Sequence, residues 1–99
     1  MIITITLEHL HRGRAYADAS FIGRSTCCPV ALAVADLLGV ETLGSTPYAV
    51  TAFGVWIANQ ECLRFDAPRI RRFIGLFDYG DDETAGKMLP LTTEVRLIN

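Results

Sequence analysis

The sequence predicts an α+β domain: a mainly antiparallel sheet of four to five strands with two principal helices packed on one face, in the order β-α-α-β-β-β-α-β. Three observations predict it. The chain opens on a β-branched, alternating run from Ile2 to Leu7. Two apolar helical patterns begin at prolines, Pro29 and Pro68, and proline suits a first helical turn because its missing N–H would have no partner there. Short strand-like runs with tight connections fill the rest, which favours antiparallel neighbours with helices gathered on one side.

Taken in order, the first strand leads to Thr6, which is placed to cap a short helical turn from Glu8 to Arg12 with Gly13 as its stop. Residues 14 to 26 give no clear signal, and Ala15 to Ala19 either extend that helix or form a loop. Pro29 to Leu38 (PVALAVADLL) is apolar nearly all round and ends at Gly39. A helix apolar on every face belongs in the interior, with the sheet on one side and other elements on the other. Strands are expected at Val40 to Leu43, Ala49 to Ile57 and Glu61 to Phe65, the last two joined tightly at Asn59-Gln60. Gly54 marks a bulge in the middle run or splits it in two. The second helix starts near Asp66 or Ala67 and runs to about Tyr79 before Gly80, with Ile70, Phe73, Ile74 and Phe77 forming one apolar stripe. Residues 80 to 89 read as an acidic loop and Leu91 to Leu97 as a last strand. An exposed edge, on the first or the last strand, suits a homodimer, because open edges are usually covered or paired.

The 99 residues, 51% of them apolar, are enough for one core and too few for two, so residues 1 to 99 form a single domain. A formal net charge of −2 excludes non-specific nucleic-acid binding, which needs a strongly basic face, and DNA mimicry, which needs a far more acidic one. Cys27, Cys28 and Cys62 are odd in number, the vicinal pair is a poor disulfide, and no zinc-ligand spacing surrounds them. They read as reduced thiols of a cytosolic protein. The first residues lack a basic lead followed by a long apolar run, and the weakly polar stretch from Cys27 to Val40 is interrupted by Pro29 and Asp36. A soluble, intracellular protein with no membrane partner is expected.

Four constellations bear on chemistry. Arg24, Ser25 and Thr26 precede the Pro29 helix, whose N-terminal N–H groups favour an anion; the plainer reading is simple capping by Ser, Thr or Cys. Arg69 and Arg72 share one side of the second helix, with Arg71 and Arg64 nearby, and form either an anion grip or a solvated face paired with Asp66 and Asp78. Glu8, His9 and His11 could serve the thiols as base or join one of them on a metal, but no signature of either kind surrounds them, and His9 can equally pack under the sheet. Asp78, Asp81, Asp82 and Glu83 lack calcium-loop spacing and read as a solvated turn. Tyr48, Phe53 and Trp56 lie on the middle strands as core residues or as platforms for a base or a partner.

The run ITxxLEHLHRGR, then CCPVALAVADL, then PRIRRFIGLFDYG, then a proline before a final short strand, resembles a group of small accessory proteins encoded by tailed bacteriophages. The likeness covers those three patches, and the chain departs from it in the acidic stretch from Asp81 to Gly86. It implies a viral protein acting in the cytoplasm of an infected bacterium, and small proteins of that kind often inhibit host immunity. The expectation is therefore a non-enzymatic binding protein that blunts an antiviral defence, with no cofactor and no metal. It does so by docking on a defence protein, as anti-CRISPR proteins do, or by sequestering an anionic nucleotide signal. In the nucleotide version Arg24, Ser25, Thr26, Arg69 and Arg72 hold the anion and Trp56 stacks on its base; in the docking version the same arginines and the Tyr48–Trp56 strands meet a protein. The alternative of a different class is a small thiol-dependent enzyme using Cys27 or Cys28.

Overall fold

The computed structural model describes residues 2–19, 24–51, 54–57, 60–65 and 68–97, with the side chains of residues 19, 24, 25 and 97 outside that description. The elements are β1 (Ile2–Ile5), α1 (Leu7–Ala19), α2 (Arg24–Cys27), α3 (Pro29–Leu38), a 3-10 turn (Leu43–Ser45), β2 (Tyr48–Val50), β3 (Gly54–Ile57), β4 (Gln60–Phe65), α4 (Pro68–Tyr79), α5 (Asp82–Lys87) and β5 (Leu91–Leu97). The five strands form one curled sheet in the order β1-β5-β4-β3-β2, every pair antiparallel. The fold is α+β, as expected. The last strand is not an edge: β5 inserts between β1 and β4, so the edges are β1 and β2.

Helix α3 is the centre of the molecule. Cys28 caps it, its Sγ accepting from the Ala31 N–H at 3.4 Å, and Pro29 through Ala35 are all buried. It packs against both sheet edges, β1 and β2, and against α1 on its far side. This is the interior placement that an all-round apolar helix requires. The second apolar stripe behaves likewise: Ile70, Phe73 and Phe77 of α4 are buried and Ile74 is half-buried against the same core, with Ile3, Ile5, Leu91 and Val95 contributed by the sheet.

Three expectations on local structure are corrected. Gly13 does not stop α1, which runs on to Ala19; a Cβ at Gly13 would sit 2.7 Å from Pro29 Cδ, so the missing side chain lets α1 press against the start of α3. Val40 to Leu43 is not a strand. Gly39 turns left-handed (φ 72°), Val40 N–H returns to the Ala35 carbonyl, and Thr42 Oγ1 then caps the 3-10 turn by accepting from Gly44 N–H. Nor are residues 80 to 89 a loop. Asp81 Oδ1 accepts from the Thr84 N–H, and α5 follows with acidic residues in its first turn and Lys87 in its last. The tight connection at Asn59 and the helix start at Asp66 or Ala67 lie outside the described residues. Gly54 does divide the middle run: β2 ends at Val50 and β3 begins at Gly54, where a Cβ would fall 2.0 Å from the Leu63 carbonyl oxygen.

A bidentate ion pair ties α1 to the C-terminal helices. Arg14 Nε and Nη2 donate to Asp82 at 2.8 and 2.7 Å, Nη2 also donates to the Phe77 carbonyl, and the guanidinium lies 4.3 Å from the Phe77 ring centroid. The hydrogen bond to Asp82 raises the Arg14 pKa further above its ordinary value.

Candidate binding cavity

Between the C-terminal half of α3 and the concave face of the sheet lies a cavity of about 270 Å³. Its floor is core: Ile3, Val34, Val55 and Val95 line it and are each no more than 5% exposed. Tyr48, Ile57, Cys62 and Leu63 form its walls. Leu37 and Leu38, 49% and 47% exposed, stand at its mouth. No charged side chain occurs among these described lining residues.

Local sequence explains the shape. Strand alternation turns Val55 and Ile57 toward α3 and Trp56 to the other side of the sheet. Val55 pairs with Leu63 but Trp56 pairs with Glu61, so Cys62 is an extra residue on β4. At such a bulge two successive side chains can share a face, and Cys62 and Leu63 both reach the cavity. The Cys62 thiol donates to the Val55 carbonyl at 3.2 Å. The sequence holds a signal for the mouth: Leu37 and Leu38 are consecutive in the last turn of α3, just before the Gly39 stop, where an apolar helix emerges from the core. It holds no readable signal for the bulge.

Of the residues singled out from sequence, Tyr48 and Cys62 line the cavity and the others fall elsewhere. Arg24, Ser25 and Thr26 belong to α2, a separate four-residue helix, and not to the start of α3, which Cys28 caps; the side chains of Arg24 and Ser25 lie outside the described residues, and Thr26 is half-buried. Arg69 and Arg72 are exposed on α4, whose buried stripe faces the other way. Helix α2 packs on α1, α3, β2 and the 3-10 turn, whereas α4 packs on α5. Trp56 is half-buried on the sheet face away from the cavity, with Nε1 buried and unpartnered among the described residues. Arg64 is held by Glu61, its Nε and Nη2 donating at 3.2 and 2.9 Å, a bond that lowers the Glu61 pKa. Phe53 lies outside the described residues.

His9 has a structural post. Thr6 caps α1, its Oγ1 accepting from the His9 N–H, while His9 Nδ1 accepts from the Thr6 N–H at 2.9 Å. This is a capping box with histidine in the usual Glu or Gln position. Since Nδ1 accepts, Nε2 carries the proton and donates to Asp36 Oδ2 at 2.6 Å, linking α1 to α3. His11 is exposed, and no group of three His, Cys, Asp or Glu side chains able to hold a metal occurs among the described residues. Burial pushes the Cys28 thiol up to about 11, so it stays protonated at neutral pH, while Cys27 is half-buried beside Thr26 Oγ1. No helix among the described residues is long and apolar enough to cross a membrane. No family model, curated protein or solved structure matches the chain.

Proposed function

We propose that this chain is a non-enzymatic binding protein that docks on a partner protein through Leu37 and Leu38 at the mouth of the cavity. In the setting implied by the phage likeness, that partner is a host antiviral defence protein in the bacterial cytoplasm. The observation that carries the reading is the pair of adjacent, half-exposed leucines in front of an apolar hollow. Exposed apolar side chains gathered beside an apolar hollow form the kind of surface that marks an interaction site.

The nucleotide-sequestering version is less well supported. It needs Thr26 and its neighbours on α2 to meet Arg69 and Arg72 on α4, yet those helices pack on different elements, and Trp56 belongs to the sheet face opposite the cavity. The thiol-enzyme alternative would rest on Cys27, because a Cys28 thiol held neutral is a poor nucleophile.

Plaque counts test the proposal. The chain is expressed in bacteria carrying a characterised defence system and challenged with a phage that this system restricts. Wild type should restore plaques, and Leu37→Asp/Leu38→Asp should not, at equal soluble expression. Across a panel of defence systems, restoration by the double variant as efficiently as by wild type would remove the leucines from the contact. Restoration in none would remove the counter-defence role.

A further inference from the structure

The cavity reaches well beyond what a docking patch requires. A surface contact needs only the rim, where Leu37 and Leu38 stand. Here the hollow continues to Ile3, Val55 and Val95, side chains otherwise closed off from solvent. Interiors normally pack without voids much larger than a water molecule, so about 270 Å³ left between α3 and the sheet is an exception.

Size and chemistry define what would fill it. A cavity of about 150 Å³ lined by Leu, Ile and Phe holds a benzene molecule and stays dry without it. One aromatic side chain offered by a partner would therefore leave much of this volume empty. The described walls carry no charge to neutralise an ion, and the Cys62 thiol already donates to the Val55 carbonyl. A charged ligand would lose its hydration there without compensation.

We infer that the cavity is a binding site for a free, uncharged apolar small molecule, the size of a benzene ring bearing a short alkyl chain. The site is independent of the docking reading: its floor is Ile3, Val34, Val55 and Val95, whereas docking uses the rim. Cys62 makes occupancy measurable, because a ligand in the cavity covers its thiol.

The experiment uses the full chain in a Cys27→Ser background, with n-butylbenzene as probe and benzoate as charged control. Two signals are read: the thermal midpoint, and the rate at which a small methanethiosulfonate reagent labels Cys62, located by mass spectrometry. At about ten times its dissociation constant the probe should slow labelling about tenfold, and at about a hundred times it should raise the midpoint by several degrees. Benzoate should do neither. Ile57→Phe and Leu63→Phe, which fill the cavity from half-buried wall positions, should each abolish the midpoint shift, so that one folded variant is enough. Unchanged labelling and midpoint with n-butylbenzene would overturn the inference, as would a shift that persists in a folded cavity-filling variant. An equal response to benzoate would overturn the assignment to uncharged ligands. Ile57→Phe and Leu63→Phe also separate the two readings: a folded variant should lose the probe response while keeping plaque restoration, which uses the rim.

Discussion

Both ring nitrogens of His9 are engaged, one with its own helix and one with α3. Nδ1 accepts from the Thr6 N–H and Nε2 donates to Asp36, so a single side chain completes the start of α1 and joins it to α3. His9→Ala should cost about 1 kcal/mol or more in urea unfolding, since it leaves a part-buried backbone N–H without its acceptor and removes the link to Asp36. His9→Gln should cost less, because glutamine at this position can still reach back to the Thr6 N–H. Equal losses would mean that the capping bond contributes little and the Asp36 link carries the effect. Cys28 gives a second test. Its pKa rises from 9.0 to about 11 in the folded chain, mainly through burial. A raised folded pKa means that the unfolded chain releases the proton first as pH climbs. The stability linked to this thiol is therefore complete below pH 9.0 and is lost as pH rises through about 11. Cys28→Ser keeps a side-chain acceptor for the Ala31 N–H but does not titrate in this range. Unfolding free energy should thus fall more steeply for wild type than for Cys28→Ser over that window, and parallel curves would contradict the burial of the thiol.

At the scale of elements, glycines separate what the sequence discloses from what it withholds. Gly39 and Gly80 stop α3 and α4 in left-handed conformations, as their places after periodic apolar runs suggest. Gly13 follows the same local pattern and does not stop its helix. The difference is tertiary: Pro29, sixteen positions away, occupies the space a side chain would need, and no local rule registers that approach. The alternating strands, the α4 stripe and the interior placement of α3 were legible because each follows from a period or a composition. The Asp81 cap was legible too, in the acidic start and basic end of α5, but it was masked by reading charge alone as solvated loop. The cavity was not legible, because it depends on a one-residue register shift in β4 that leaves no compositional trace. Two alanine substitutions test the tertiary argument. Gly75→Ala, in the exposed face of α4 with nothing within 4 Å of the new Cβ, should stabilise by up to about 1 kcal/mol. Gly13→Ala gains the same propensity but meets Pro29 at 2.7 Å, and should destabilise by about 1–3 kcal/mol through overpacking. Thermal unfolding of both variants decides it; the same sign in both would show that α1 can move off α3 at no cost.

For the whole molecule, the decisive feature is where the last strand goes. Strands β2, β3 and β4 follow one another closely and pair locally, but among the described residues β1 pairs with β5 alone. Ile5 lies opposite Leu91 and Ile3 opposite Thr93, and on the outer face Thr4 and Thr92 place their hydroxyls 3.3 Å apart across a separation of 88 residues. The other side of β5 pairs with β4 through Leu63, Arg64 and Phe65. One strand therefore joins β1 to the rest of the sheet and forms part of the cavity floor through Val95. Without it, the apolar side chains of β1 and the floor of the cavity open to water together, and a local three-stranded meander is left with an incomplete face to bury. A chain ending at Leu89 should accordingly lose its cooperative thermal transition, with loss of near-ultraviolet tertiary signal and gain of dye binding, while helical far-ultraviolet signal survives in part. Adding a synthetic peptide covering residues 90 to 99 should restore a transition whose midpoint rises with peptide concentration, as mass action requires when folding and binding are coupled. A truncated chain that still unfolds sharply near the full-length midpoint would mean that α3 and the meander form a self-sufficient core, and that β5 completes the cavity without holding the fold together.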